Sequence, residues 1–417
     1  MGESVRTYRP GDEDFIAALL RECFDTYRNY GIDGSKWLEL AKLNEGFRPE
    51  GAYLLEEEGS LVSHIQVVEK RLRTAAGPQS TAGIANVATH PSRRGRGYAT
   101  RLLEKAMKDY AAKGFPLTAL FTGFASGPQR IYRRLGYVDV CVDTYAVAPL
   151  SDAKTAARRV PWIEVCEGEE RDVEKLARLY EERGDRHTGW PTRTRQEWVE
   201  KLVKRTAYHG FFYVERSRGN FLVAREGGEV LGHVATFKAP WEEETLTILE
   251  IMSAPGRFDA LQALYTAAIE RASELGARVV RASIPMVGSY AKIFRNFQRS
   301  GGGGVFMTEV LNLRALLSTV KVVGWIDEPL TLKLLYRSQQ ATVKVGHEGL
   351  ELVEGGAEAE MELDPTMFNR MLFGFASLSE VLLSSRVSSS VPLRRIREAL
   401  KAIFKPKPFH IWIIDHW

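Results

Sequence analysis

His90-Pro-Ser-Arg-Arg-Gly-Arg-Gly-Tyr-Ala-Thr-Arg-Leu-Leu103 is the stretch on which the fold turns. The short β-rich run before it, Gly83 to Thr89, ends at Pro91. A turn then holds Gly95 and Gly97, and a helix begins at about Gly97 or Tyr98. Its apolar residues, Ala99, Leu102, Leu103, Ala106, Met107 and Tyr110, keep helical spacing. Unpaired N–H groups and the positive dipole end meet at a helix start, which favours an anion there. Glycines let the backbone approach a phosphate closely. Arg93, Arg94 and Arg96 supply charge, and arginine can grip phosphate oxygens with a fork of N–H groups. The turn is therefore a pyrophosphate cradle or an exposed basic turn. It lacks the third glycine of a dinucleotide fingerprint and the Gly-Lys-Ser/Thr of a Walker loop.

Upstream, Phe15, Leu19 and Leu20 lie on one face of a predicted helix with acidic residues in its first turn. Ala52 to Val67 reads as a hairpin punctuated by Gly59 and Ser60. Downstream come a strand, Leu117 to Phe121, a short helix, Pro128 to Leu135, and a last strand, Tyr137 to Val142. A polar linker is expected from about Ala148 to Val160. The same order then returns: a helix over Arg171 to Glu181, a hairpin turning at Gly227-Gly228, a strand over Thr245 to Met252, and another helix. That helix has apolar residues at Leu261, Leu264, Tyr265, Ala268, Ile269 and Ala272, each 162 residues after its counterpart in the first copy. Repetition of the whole order predicts two copies of one α/β unit. At the same shift Arg94 becomes Gly256, Gly95 becomes Arg257 and Gly97 becomes Asp259. An aspartate suits a free helix N-terminus and repels a pyrophosphate, so the second copy is expected to be structural. Gly301 to Gly304 is expected to be a flexible loop before its last strand.

The order of elements around the cradle resembles the GNAT N-acetyltransferase family. Arg94, Gly97 and Ala99 fill that family's Gln/Arg-x-x-Gly-x-Gly/Ala signature, and Ile131-Tyr-Arg-Arg-Leu-Gly-Tyr137 matches the segment carrying its usual proton donor. The resemblance implies that acetyl-CoA is the cosubstrate. Its pyrophosphate would lie on Arg94, Gly95, Arg96, Gly97, Tyr98, Ala99 and Thr100, its pantetheine arm along Val87, Ala88 and Thr89, and Ser126 and Gly127 would complete the site. Tyr132 would be the general acid. Two such units followed by an α/β domain resembling sterol carrier protein, with an aromatic last residue, look like the enhanced intracellular survival family of acetyltransferases. On that likeness, residues 1–150 are the catalytic unit, 151–312 a degenerate second unit and 313–417 the carrier-like domain. The fold class expected is α/β, with tandem mixed sheets flanked by helices. The likeness further implies an acceptor such as an aminoglycoside or a lysine side chain, a homohexamer, and the α-carboxylate of Trp417 as general base. The alternative from another class is a CoA- or lipid-binding carrier or regulatory protein without turnover.

The chain's end fits that last role chemically. Pro408-Phe-His-Ile-Trp-Ile-Ile-Asp-His-Trp417 is rich in β formers, where chain ends are commonly polar and frayed. A final strand is expected over Phe409 to Ile414; it either positions a base or merely completes the last domain's sheet. Composition adds bounds. The 57 basic and 53 acidic residues nearly cancel, which by itself argues neither for nor against nucleic acid; no nucleic-acid partner is expected. Cys23, Cys141 and Cys166 have no metal-ligand or CxxC spacing and read as reduced thiols of a cytoplasmic protein. No metal site and no membrane segment is expected. His64 and His233 take matching hairpin places and read as sheet packing, and Trp37 either lines a cleft or packs.

Overall fold

The structure, a computed structural model, describes residues 3–417 apart from 44–45, 205–207, 210–211, 214–218, 286–287, 322–325, 327 and 348. In the first unit the strands are β1 (Ser4–Thr7), β2 (Phe47–Glu57), β3 (Ser60–Thr74), β4 (Gly77–Thr89), β5 (Leu117–Gly123) and β6 (Val138–Pro149). The second brings β7 (Glu164–Glu167), β8 (Phe221–Glu226), β9 (Glu229–Phe237), β10 (Thr245–Ser253), β11 (Val279–Ala282) and β12 (Gln298–Val310). Turn chemistry closes both hairpins. Glu58 and Gly59 take φ of 53° and 81°, Gly227 and Gly228 take 55° and 85°, and positive φ at both central residues matches the twist of the paired strands.

These twelve strands form one sheet, in the order β1-β2-β3-β4-β5-β12-β6-β11-β10-β9-β8-β7, and Tyr208–His209 pairs separately with Phe212–Tyr213. The last strand of each unit is therefore exchanged. β12 inserts between β5 and β6, pairing Phe306 with Phe121 on one side and with Cys141 on the other. β6 in turn pairs with β11, Ala148 opposite Val280. The expected linker is thus partly regular structure: β6 runs to Pro149 and a helix, Leu150–Lys154, follows at once. Gly301 to Gly304 likewise lies within β12, not in a loop before it, with a register irregularity between Gly301 and Val305.

Helix Tyr98–Ala112 packs on one face of the first unit's sheet, burying Tyr98, Leu102, Leu103, Ala106 and Tyr110 with Ile65, Val67, Ile84 and Leu120. Helices Glu13–Cys23 and Gly34–Leu43 cover the other face through Ile16, Leu19, Leu20, Trp37 and Leu40. Phe15 is not part of that buried stripe; it is exposed, and Ile16 takes the inward place. Trp37 is wholly buried between Tyr8 and Phe47 and serves as core. His64 and His233 are also fully buried in their sheets.

The third domain has its own sheet of β13 (Leu330–Tyr336), β14 (Gln339–Gly346), β15 (Gly349–Val353), β16 (Ala359–Glu362) and β17 (Arg386–Ser389), ordered β15-β14-β13-β16-β17. Asp364 caps the helix Pro365–Leu372 by accepting from the Met367 N–H, as the Asp-Pro pair predicts. This domain docks on β12. Glu309 accepts from the Tyr336 hydroxyl and the Arg337 Nε, both at 2.9 Å, and Thr308 donates to Asn369 at 2.9 Å. Burial pushes the Glu309 carboxyl up to about 7 in spite of Arg337.

The chain's end departs from expectation. Among the described residues only Phe409 makes a bridge, to Thr188, and Ile413–Asp415 is a single 3₁₀ turn. Its alternating pattern predicts a strand, but His410 to His416 are all buried, so both faces of the segment pack and no ladder forms. Trp412, Ile413 and Ile414 belong to the second unit's core, whereas Trp417 packs against the first unit and the third domain.

Candidate active site

β4 and β5 run parallel and part company. Their pairing covers Thr81↔Leu117 to Ile84↔Leu120, and both strands continue past it. On its other edge β4 slips register against β3 between His64 and Gln66, where Asn86 takes φ of 52°. This bulge turns β4 away from β5 and opens a fork. Asn86 donates from Nδ2 to the Tyr27 hydroxyl at 2.8 Å, which ties the fork to the N-terminal helices. Ala125, just beyond β5, also has positive φ, 55°. Uncommon backbone on both arms is the kind of strain that collects at functional sites. Val87, Ala88 and Thr89 lie on the diverging part of β4, with no β5 partner opposite them. Extended backbone of that kind can pair with an amide-bearing ligand arm.

At the mouth of the fork, Gly95 and Gly97 both take φ of 80°, and a Cβ at either would meet nothing within 4 Å. Gly97 precedes Tyr98–Ala112 without a side-chain cap, so the first-turn N–H groups of Tyr98, Ala99 and Thr100 point outward with no helical acceptor. The cradle is open and carries the positive end of a fifteen-residue helix. Its charges are not all available. Arg93 and Arg96 both pair with Glu57, at 2.9 and 2.8 Å, so their charge is partly offset. Arg94 is exposed and donates from Nε to the Thr89 carbonyl at 3.2 Å. The Tyr98 side chain turns into the core and its hydroxyl donates to Glu57 at 2.7 Å, which leaves only its backbone for the cradle. The Ser126 hydroxyl caps the helix Gly127–Arg134 by accepting from the Gln129 N–H at 3.2 Å. Cys23 was not legible as a neighbour of this site, yet its Sγ stands 3.5 Å from the Thr89 carbonyl and 3.9 Å from Arg94.

Tyr132 is buried on the face of the fork that holds Ile84 and Leu120, edge-on to Tyr137 at 5.8 Å. Burial raises its hydroxyl well above the usual tyrosine range, so it stays protonated. Trp417 is on the opposite face. A Cβ at Gly83 would sit 2.6 Å from its Nε1 and 2.9 Å from the Val68 carbonyl, so only glycine lets the indole lie on β4. Phe121 meets the Trp417 ring edge-on at 5.3 Å and stacks on His416 at 4.2 Å. Because side chains alternate along a strand, Gly83 and Phe121 face away from Ile84 and Leu120. The paired base of the fork thus has Tyr132 on one face and the indole of Trp417 on the other.

The second copy differs at each of these points. Asp259 accepts from the Ala260 N–H at 2.9 Å and pairs with Arg257 at the start of the helix Phe258–Glu274. Trp162 donates to the same carboxylate at 3.0 Å. Arg257 and these hydrogen bonds hold the Asp259 carboxyl below its ordinary range, so the place of an anion is already filled by an anion. Gly97→Asp should likewise place an anion at the helix start of the first copy. Acetyl-CoA affinity measured by calorimetric titration should fall ~10–100-fold, since a carboxylate replaces an open, positive cradle. Asp259→Ala should leave that affinity unchanged and cost about 0.5 kcal/mol of stability, as the loss of a first-turn carboxylate at the positive end of its helix.

A forked mixed sheet with an uncapped helix start at its mouth can hold an anionic, amide-bearing ligand. Residues 4–139 match the family described as acetyltransferase (GNAT) domain. The protein carries that domain and is an acyltransferase. No curated protein matches the chain. Among solved structures, a conserved protein of Enterococcus faecalis described as a probable N-acyltransferase is similar at TM-score 0.71 and 14% identity, over 99% of this chain and 100% of that one. A GCN5-related N-acetyltransferase from Kribbella flavida is similar at TM-score 0.71 and 14% identity, over 100% and 98%. Eis1 from Mycobacterium abscessus is similar at TM-score 0.60 and 15% identity, over 98% of each chain. At such identities the likeness concerns the fold, and it runs through the full length of the chain. Among the described residues no helix is long and apolar enough to cross a membrane, and no cluster of side chains could hold a metal ion.

Proposed function

We propose that the protein is an acetyl-CoA-dependent N-acetyltransferase that passes the acetyl group directly to a primary amine, of the aminoglycoside or lysine type. Tyr132 is the general acid and the Trp417 α-carboxylate the general base. The observation that carries the reading is that Tyr132 and Trp417 stand on opposite faces of β4 and β5 at the base of their fork. Acetyl-CoA supplies a thioester, a carbonyl activated toward amines. The chain's own residues do the rest. Gly95, Gly97, Arg94 and the first-turn N–H groups of Ala99 and Thr100 hold the pyrophosphate. The diverging backbone of Val87 to Thr89 holds the arm. An alkylammonium acceptor has a pKa near ~10 and must lose a proton before it attacks. A carboxylate in the half-buried surroundings of Trp417 is a better base than one in water. The departing thiolate, with a pKa near ~8.5, takes a proton from Tyr132. No covalent enzyme intermediate is involved.

In the same reading, residues 1–150 form the catalytic unit, 151–312 the degenerate second unit and 313–417 a sterol-carrier-like domain. The protein is cytoplasmic and assembles as a homohexamer. Release of free CoA thiol from acetyl-CoA in the presence of a panel of aminoglycosides, polyamines and lysine peptides tests the proposal. Turnover with at least one amine is expected. Tight acetyl-CoA binding without turnover on any acceptor would instead make the protein a carrier.

A further inference from the structure

The last turn of the chain is held by a second, entirely buried set of charges. Arg193 donates to Asp415 from Nε at 2.8 Å and from Nη2 at 2.6 Å, a two-pronged grip on one carboxylate. The same guanidinium reaches Glu250 through Nη1 at 3.1 Å and through Nη2. Tyr180 donates its hydroxyl to Asp415 at 2.9 Å, and His233 Nε2 lies 2.6 Å from Glu250. The side chains of Arg193, Glu250 and Asp415 are 1%, 0% and 2% exposed. Next to them Glu197 pairs with Lys70 at 3.0 Å and Lys201 at 3.2 Å, and Asp415 acts on both lysines through space. Three cations then face three anions, so the cluster is balanced without solvent.

Buried ion pairs are poor sources of stability, because desolvation offsets the attraction; their best-attested use is to fix one register. The tail has apolar anchors already in Trp412, Ile413 and Ile414. Those side chains hold it in the core but could accept a shifted register, whereas a two-pronged carboxylate grip admits only one. The place of the grip is telling. The parallel pairing of β10 with β11 ends at Ile248↔Ala282, and Glu250 is two residues past it. In the first unit the pairing ends at Ile84↔Leu120, and the residue two further on is Asn86, at the bulge of the fork. The 3₁₀ turn Ile413–Asp415 packs against β10 in the second unit, where a cradle is missing.

We propose that the second unit's fork is a socket for the C-terminal tail, in which Arg193, set by Glu250 and His233, grips Asp415 and thereby positions Trp417 at the first unit's fork. Arg193, Glu250 and Tyr180 are positioning residues, acting through Asp415. Trp417 is two residues on from Asp415, a reach of at most ~7 Å, so any slip at Asp415 passes directly to the last residue. The effect on turnover rests on the role proposed above for Trp417; the socket itself does not.

Two measurements on the full chain separate those claims. Carboxypeptidase A releases an aromatic C-terminal residue only when it is free of the fold. In Asp415→Asn, release of Trp417 should be at least ~10-fold faster than in the parent protein, because opening of the tail becomes easier. Acetyl-CoA affinity should stay within experimental error while kcat drops ~10²-fold, the scale of a 1 Å misplacement. Tyr180→Phe removes a single hydrogen bond to Asp415 and should give a smaller change in the same direction; it reads the socket even if Asp415→Asn does not fold. Equal protection of Trp417 in the parent and in Tyr180→Phe, together with equal protection in any folded Asp415→Asn protein, overturns the socket. Faster release of Trp417 with unchanged kcat supports the socket and overturns the role of Trp417 as base.

Discussion

A protein lengthened by two glycines beyond Trp417 is expected to fold, to bind acetyl-CoA as the parent does, and to turn over ~10²–10⁴-fold more slowly, the range for loss of general base catalysis. The extension moves the negative charge by up to ~7 Å and leaves an uncharged amide where the carboxylate was. Nothing that holds the tail is altered: Asp415 keeps Arg193, and Trp412, Ile413 and Ile414 keep their places in the second unit's core. Trp417→Phe is the matched control. It retains a carboxylate and an aromatic ring against Phe121 and Gly83, so it should stay largely active at some cost in packing. Melting temperature, acetyl-CoA affinity and turnover, measured on both variants, decide the matter. Full activity of the lengthened protein would reduce the tail to packing between the units.

Tyr132→Phe should lower kcat by a similar ~10²–10⁴-fold while leaving KM for both substrates nearly unchanged. The substitution removes one oxygen from a ring that stays edge-on to Tyr137. Burial raises the pKa of the hydroxyl, and phenylalanine keeps the ring's packing. The two variants also differ in pH behaviour. The lengthened protein should regain rate as pH rises toward the acceptor's own pKa, because the amine then sheds its proton unaided. Tyr132→Phe should regain nothing there, since the thiolate still lacks its donor. A Tyr132→Phe protein with near-parental turnover would remove this residue from the chemistry.

Local rules made much of this protein legible in advance. The run from Gly83 through the Gly95 and Gly97 turn to Leu103 named a strand, an open turn and a helix start. Each follows from φ preferences and apolar spacing within a dozen residues or so, and each is present at its expected place. The repeated spacing named the second helix, and Asp259 at its start named the difference between the copies. What the sequence could not state is which strands pair over long distances. β6 and β12 look like the closing strands of their own units, and only the burial of Phe306 and Ala148 in the shared sheet decides that they cross over. The alternating tail failed for a related reason. Period-two apolarity marks a strand when a ladder partner exists, and here the segment is enclosed on both faces and, among the described residues, pairs only at Phe409. Arg193 and Asp415 are 222 residues apart and Arg193 and Glu250 are 57 apart, so no window of sequence contains the grip. Their charges would be read as solvated surface from the sequence. The tertiary fold makes them the opposite, because packing removes water from around them and sets them against one another, with Tyr180 and His233 completing their hydrogen bonds.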